Sequence, residues 1–331
     1  NSLSKGRRAI NAYIGVSSTV NNPTNPLTVS RLYWTCCVPS ITYGMELLPL
    51  NESELECLES GHRGIAKKIQ GIPKTTSNAA STSILGWHSL TSNIVISKLM
   101  LLWQLLSLPF PSIYKKLIIL RLLSATYEDL NKFSPIGNCI KMAKAYQLDE
   151  MVYEMFNGHV YSKLQWKNIV KSKVHLFELR NWQIECILSR KLPLFRIVTH
   201  DIQPIIWWKV AKLDPRILKC CRTVVKLLLG EGNIMINVNR WSNGKISVLC
   251  KMCYKEPETL SHMILDCEGH DALRSNILEI VHNIFKPARN YPKEMILGAI
   301  FGAGEIFDVE EYKQIAVYIH KMYINRPESG L

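Results

Sequence analysis

The chain is poor in acid, in long apolar runs and in strand-like patterns. Asp and Glu number 27 against 40 Lys and Arg, a net charge of +13 over 331 residues. Such an excess fits nucleic acid, other acidic partners or an anionic surface, so charge narrows the partner class without naming it. The most hydrophobic stretch, between Lys98 and Lys115, is interrupted by Gln104, Pro109 and Pro111, and no membrane span is expected. Asn1 to Gly15 is basic and polar, with none of the apolar run of a secretion signal. No internal repeat is evident. The first residue is Asn, not Met, as expected of a piece of a longer reading frame or of a trimmed chain.

What is present suits a globular protein. Apolar residues make up 47% of the chain, enough for two or three domains with their own cores. The ten cysteines lie mostly in apolar stretches of a long chain, unlike a secreted disulfide scaffold, and are expected to be reduced inside the cell, in nucleus or cytoplasm. Charge is uneven: residues 101–200 carry 14 basic and 7 acidic side chains, while residues 271–331 carry 7 and 8. A surface for phosphates is therefore expected between about residues 98 and 255.

The expected fold class is mainly α. Asn51 with Glu54 has the form of a capping box, Leu55, Leu58, Ile65 and Ile69 recur near helical spacing, and Gly71 then Pro73 make a stop, predicting a helix over 52–70. Ile94, Leu99, Leu102 and Leu106 predict another over 91–107. Further helices are expected over 26–48, with a kink or break at Pro39, and over 112–127, 139–155, 159–188 and 215–229. The alternation of Ile234, Ile236 and Val238 predicts a short strand, and 246–249 a second. Composition shifts near residues 131 and 231 suggest boundaries, giving segments 1–130, 131–230, 231–275 and 276–331.

One constellation carries chemistry. Cys250, two residues, Cys253, eight residues, His262, four residues and Cys267 place four soft donors within 18 residues. Two cysteines three apart fit a tight turn, and a His and a Cys from the next element complete a tetrahedron around one Zn²⁺. A closed Cys₃His shell leaves no position for water or substrate, so the ion is expected to be structural. His270 is a spare candidate ligand, less soft and less well placed than Cys267. Around the motif, Lys245, Lys251 and Lys255 with Trp241 and Tyr254 mix cations and aromatics, as phosphate contact and base stacking require; a solvated rim on a small core is the plainer reading.

The stretches Leu32-Tyr33-Trp34-Thr35, Val38-Pro39 and Thr42-Tyr43-Gly44-Met45-Glu46 resemble the segment after the polymerase palm of non-LTR (LINE-type) retrotransposon reverse transcriptases. Lys67-Lys68-Ile69-Gln70-Gly71-Ile72-Pro73 and Ile84-Leu85-Gly86-Trp87 continue the resemblance in the same order. It implies a helical thumb-like bundle, a basic helical linker, then a CCHC zinc knuckle whose ligands match Cys250, Cys253, His262 and Cys267, followed by Arg274 and C-terminal helices. The implied partners are template RNA and target DNA, with no small-molecule substrate and no membrane.

Polymerisation by two metal ions needs carboxylates close enough to share them, and the chain has no Asp-Asp pair. Glu128-Asp129, Asp149-Glu150 and Glu310-Glu311 lie in polar helical contexts, so the chain alone is not expected to polymerise or cut. Trp207-Trp208, Trp182, Cys36-Cys37 and Cys220-Cys221 are expected to be core residues. The competing function is a domesticated or decayed helical module for protein contact, stapled by the same zinc.

Overall fold

The computed structural model describes Arg8 and residues 24–124, 135–286 and 291–327. Among them are sixteen α-helices and no strand, in keeping with the expected class. Extended pairing is limited to two isolated antiparallel bridges, Leu85 with Pro204 and Leu249 with Pro257. No helix among the described residues is long and apolar enough to cross a membrane. The boundary expected near residue 131, the end of the 112–127 helix and the Glu128-Asp129 pair lie outside the described residues.

Most helix limits follow from local chemistry. Asn51 Oδ1 accepts the Glu54 N–H and Glu54 Oε2 accepts the Asn51 N–H, both at 2.9 Å, and the Glu52–Gln70 helix starts there. It ends at Gly71, whose φ of +66° lets the Ile72 N–H reach back to Lys67 O at 3.1 Å. The expected 26–48 helix is a run in pieces: Pro26–Leu32, a π turn Tyr33–Cys37, Val38–Thr42, and a 3₁₀ turn Met45–Leu47. The widened turn ends two residues before Pro39, which has no N–H to donate and whose ring would crowd a regular turn.

Three secondary-structure expectations are corrected. The 139–155 helix is two, Pro135–Ala145 and Asp149–Phe156, because Gln147 takes φ +57° and the Leu148 N–H returns to Ala143 O at 2.8 Å. The strand at 234–238 is the start of the Met235–Trp241 helix: Ile234, Met235 and Val238 are buried while Ile236 is 41% exposed, a helical and not an alternating pattern. The 246–249 segment forms a single bridge at Leu249 instead of a strand.

The described residues divide into two compact units: Arg8 and residues 33–62 with 88–124 and 135–182, and residues 24–32 with 63–87, 183–286 and 291–327. In the first, Val95, Leu99, Leu102 and Leu106 of the Leu90–Leu106 helix form one core with Cys139, Ala143, Val152 and Met155 and with Trp166, Val170 and Val174 of the Lys163–Leu188 helix. Trp166 Nε1 donates to Leu99 O at 3.0 Å, tying the two helices where they meet. Lys98 is buried with them, satisfied by Leu48 O at 2.6 Å and Asn138 Oδ1 at 2.5 Å, and burial lowers its pKa.

In the second unit the Leu218–Leu228 helix packs along Val309–Ile324, and Trp207 and Trp208 are fully buried. Their indole N–H groups donate to Phe301 O at 2.9 Å and Gln70 Oε1 at 3.2 Å, so both are core residues; Trp182, in the first unit, is buried as well. The cysteine pairs divide: Cys37 and Cys221 are buried, Cys220 is half-buried and Cys36 is exposed, which corrects the expectation of two buried pairs.

Candidate metal centre

Two short elements carry the four donors. The first is a hairpin closed by the Leu249–Pro257 bridge, with Glu258 N to Val248 O and Cys250 N to Glu256 O both at 2.8 Å. Inside it the chain turns through 251–253, the Tyr254 N–H returns to Cys250 O at 2.8 Å, and Tyr254 adopts φ +56° to leave the turn. This folds Cys250 and Cys253 onto one side. The second is the π turn His262–Asp266, closed by Cys267 N to His262 O at 2.8 Å, which brings residues five apart together. Thr259 Oγ1 accepts the His262 N–H at 3.0 Å and starts that turn.

Cys250 Sγ, Cys253 Sγ, His262 Nε2 and Cys267 Sγ meet there: the ligand atoms all lie within 4.8 Å of one another, and the four residues could hold a metal ion. Cys250 Sγ is 3.6 Å from Cys267 Sγ, and Cys253 Sγ is 3.4 Å from His262 Nε2. Cys250, His262 and Cys267 are buried and Cys253 is half-buried. His270, the spare candidate, is buried but stands outside this group.

The field around the cluster splits the thiols. Burial pushes Cys253 up, but the backbone N–H groups of Lys255 and Glu256, together with His262, outweigh it and bring it down to about 7. Burial and the neighbouring Cys250 push Cys267 up to about 12. The arrangement thus offers one sulfur that ionises near neutrality and a buried one that ionises only against a nearby cation.

Supports that the sequence did not single out hold the cluster. Glu256 Oε2 lies 3.2 Å from His262 Nδ1. Gly269 sits against Met252, where an added Cβ would come within 2.7 Å of Met252 Cβ and 3.1 Å of its carbonyl oxygen. Glu258, 3% exposed, accepts the Met235 N–H at 2.7 Å and pairs with Arg326 Nη1 at 2.8 Å, joining the hairpin to the residues just after the Val309–Ile324 helix.

The five side chains expected to contact nucleic acid flank the loop. Lys245, Tyr254 (71% exposed) and Trp241 (38% exposed) face solvent, and Lys251 is half-buried. Lys255 Nζ is paired with Glu268 Oε2 at 2.6 Å, both side chains 64% exposed, so part of its charge is already answered within the loop. Comparison of the chain with protein-family models, with curated proteins and with solved structures finds no match, and what can be said of this centre rests on its own geometry: three thiols and one imidazole placed to hold a single ion.

Proposed function

We propose that the centre binds one structural Zn²⁺, and that the chain is the nucleic-acid-binding C-terminal part of a non-LTR retrotransposon reverse transcriptase. The observation that carries the metal is the donor geometry. A tetrahedral zinc with ordinary bond lengths needs S–S edges of about 3.8 Å and S–N edges of about 3.6 Å, close to the 3.6 Å and 3.4 Å separations found. Three sulfurs and an imidazole are the donors that zinc takes in closed sites. When bound, the ion supplies folding free energy and leaves no open position for catalysis. Native mass spectrometry of wild type and Cys253→Ser tests it: one zinc in the first and a weakened site in the second is expected, and a metal-free wild type of undiminished stability would end the reading.

The nucleic-acid part rests on the charge excess, on the exposed cations and aromatics beside the loop, and on the resemblance. Binding should be tolerant of sequence and steeply salt-dependent, because the contacts are to phosphate. Nothing in the reading assigns chemistry to this chain. The competing module for protein contact draws on the Ile113–Ser124 helix, where Ile113, Tyr114, Leu117 and Leu120 are 55–66% exposed. Weak RNA affinity that barely changes with salt would favour it.

A further inference from the structure

In the first unit a groove of about 810 Å³ runs between the Leu90–Leu106 and Lys163–Leu188 helices and the turn after Val38–Thr42. Its basic wall follows from helix geometry. Trp166, Val170 and Val174 form the buried stripe of the long helix, and each is followed one residue later, about 100° around the axis, by the next position. Lys167 and Lys171 occupy two of those next positions, and Lys163 continues their row four residues earlier. All three are exposed and line the groove at its edge with the core. They span about 12 Å along the axis, and no acidic residue occurs from 163 to 177.

The other walls are of different character. Gly44, at φ +74°, ends the preceding helix and leaves Tyr43 89% exposed at the rim. Trp103 is half-buried, with its indole N–H already donated to Tyr161 O at 2.9 Å, so the surface it offers is apolar. Glu46, the one carboxylate in the lining, comes from the same turn as Tyr43 and not from the lysine wall.

We infer that this groove is a binding site for single-stranded nucleic acid, phosphates along Lys163, Lys167 and Lys171 and a base on Tyr43. The inference deepens the nucleic-acid reading above and rests on it. Evenly spaced cations beside an aromatic platform are what a strand with unpaired bases needs. A duplex hides its base faces and cannot use Tyr43. Glu46, on the base side, suits the N–H donors of base edges, where a phosphate would be repelled.

The test is fluorescence anisotropy of labelled oligo(U) of roughly twelve nucleotides, at salt between about 50 and 200 mM. It compares wild type, the triple variant Lys163→Gln/Lys167→Gln/Lys171→Gln, Tyr43→Ala, and Lys245→Gln/Lys255→Gln at the metal loop. All are exposed side chains, and thermal melts confirm that the fold is kept. The triple variant should lose tenfold or more in affinity at low salt, and its log–log salt slope should flatten by about 2, from three lost phosphate contacts at about 0.7 each. Tyr43→Ala should weaken binding several-fold at unchanged slope. Wild-type binding with an unaltered slope in the triple variant overturns the groove while leaving nucleic-acid binding intact. No binding by wild type overturns both. Tighter binding of a duplex, or equal competition by polyglutamate of matched charge, overturns the single-strand assignment.

Discussion

The carboxylate of Glu256 meets His262 on the ring nitrogen that faces away from the donor cluster: Oε2 is 3.2 Å from Nδ1, while Nε2 faces Cys253 Sγ at 3.4 Å. A carboxylate there favours the tautomer with the proton on Nδ1, which leaves the Nε2 lone pair for a metal. Removing such a partner typically lowers metal affinity about 10–100-fold. Glu256→Ala is expected near the lower limit, because the carboxylate is 65% exposed. Competition with a chromophoric chelator measures it, and an affinity equal to wild type would remove Glu256 from the site.

Gly269 is placed where the loop after the last ligand touches Met252, between the first two. An alanine there would press into a Cβ and a backbone carbonyl, neither of which can rotate away. Gly269→Ala should push the two ligand-bearing elements apart, costing about 1–3 kcal/mol of stability as overpacking does and weakening metal binding with it. A zinc-loaded variant that melts like wild type would show that the loops have slack.

Acid should destabilise the chain in two steps. His88 and His175 stack with ring centroids 3.8 Å apart and planes 5° from parallel. Burial, His88 and Lys171 hold His175 below its ordinary value of 6.5, against the pull of Glu178. The folded state therefore refuses a proton that the unfolded chain accepts, and stability falls as pH drops below 6.5. His270 and His320, also lowered by burial, act with the same sign. Glu178 is half-buried, which raises its pKa, but His88 and the Ser89 N–H more than compensate, so its contribution is lost only below its ordinary 4.5. Urea melts between about pH 7 and pH 5 should show the first loss in wild type and a shallower one in His175→Phe. Identical slopes would place the proton uptake elsewhere.

Arg326 and Glu258 form an ion pair with side chains only 9% and 3% exposed. Arg326→Met strands the Glu258 charge and should cost about 3–5 kcal/mol. The double variant Arg326→Met/Glu258→Gln should recover part of that, since it no longer buries an unpaired charge. Denaturant titration of the three proteins decides, and equal losses in single and double variants would show that the charge is not the cause.

Where a residue announces its own local bond, the sequence was readable. Asn51 with Glu54 and Gly71 with Pro73 delimited a helix to within a residue, and the spacing of Cys250, Cys253, His262 and Cys267 marked the donors that meet in space. Gln147 was opaque because a left-handed residue that ends a helix is usually Gly or Asn, and the bond it permits, Leu148 to Ala143, leaves no compositional trace. The alternation at 234–238 misled because five residues are too few to separate the two periods, and the choice was made by Glu258, 23 positions on, accepting the Met235 N–H. Glu256 and Gly269 drew no notice because a polar loop residue and a lone glycine acquire meaning only beside His262 and Met252.

All four donors fall within 18 consecutive residues, and that brevity sets the reach of the ion. Tying short loops removes little chain entropy from the unfolded ensemble, so chelation should loosen one small cooperative region and leave the helical cores closed. Amides from Val248 to His270 would then exchange first. They are bonded outward to Met235, Lys293 and Arg326, so the residues just after the Val309–Ile324 helix are one place where loss of the ion is felt at a distance.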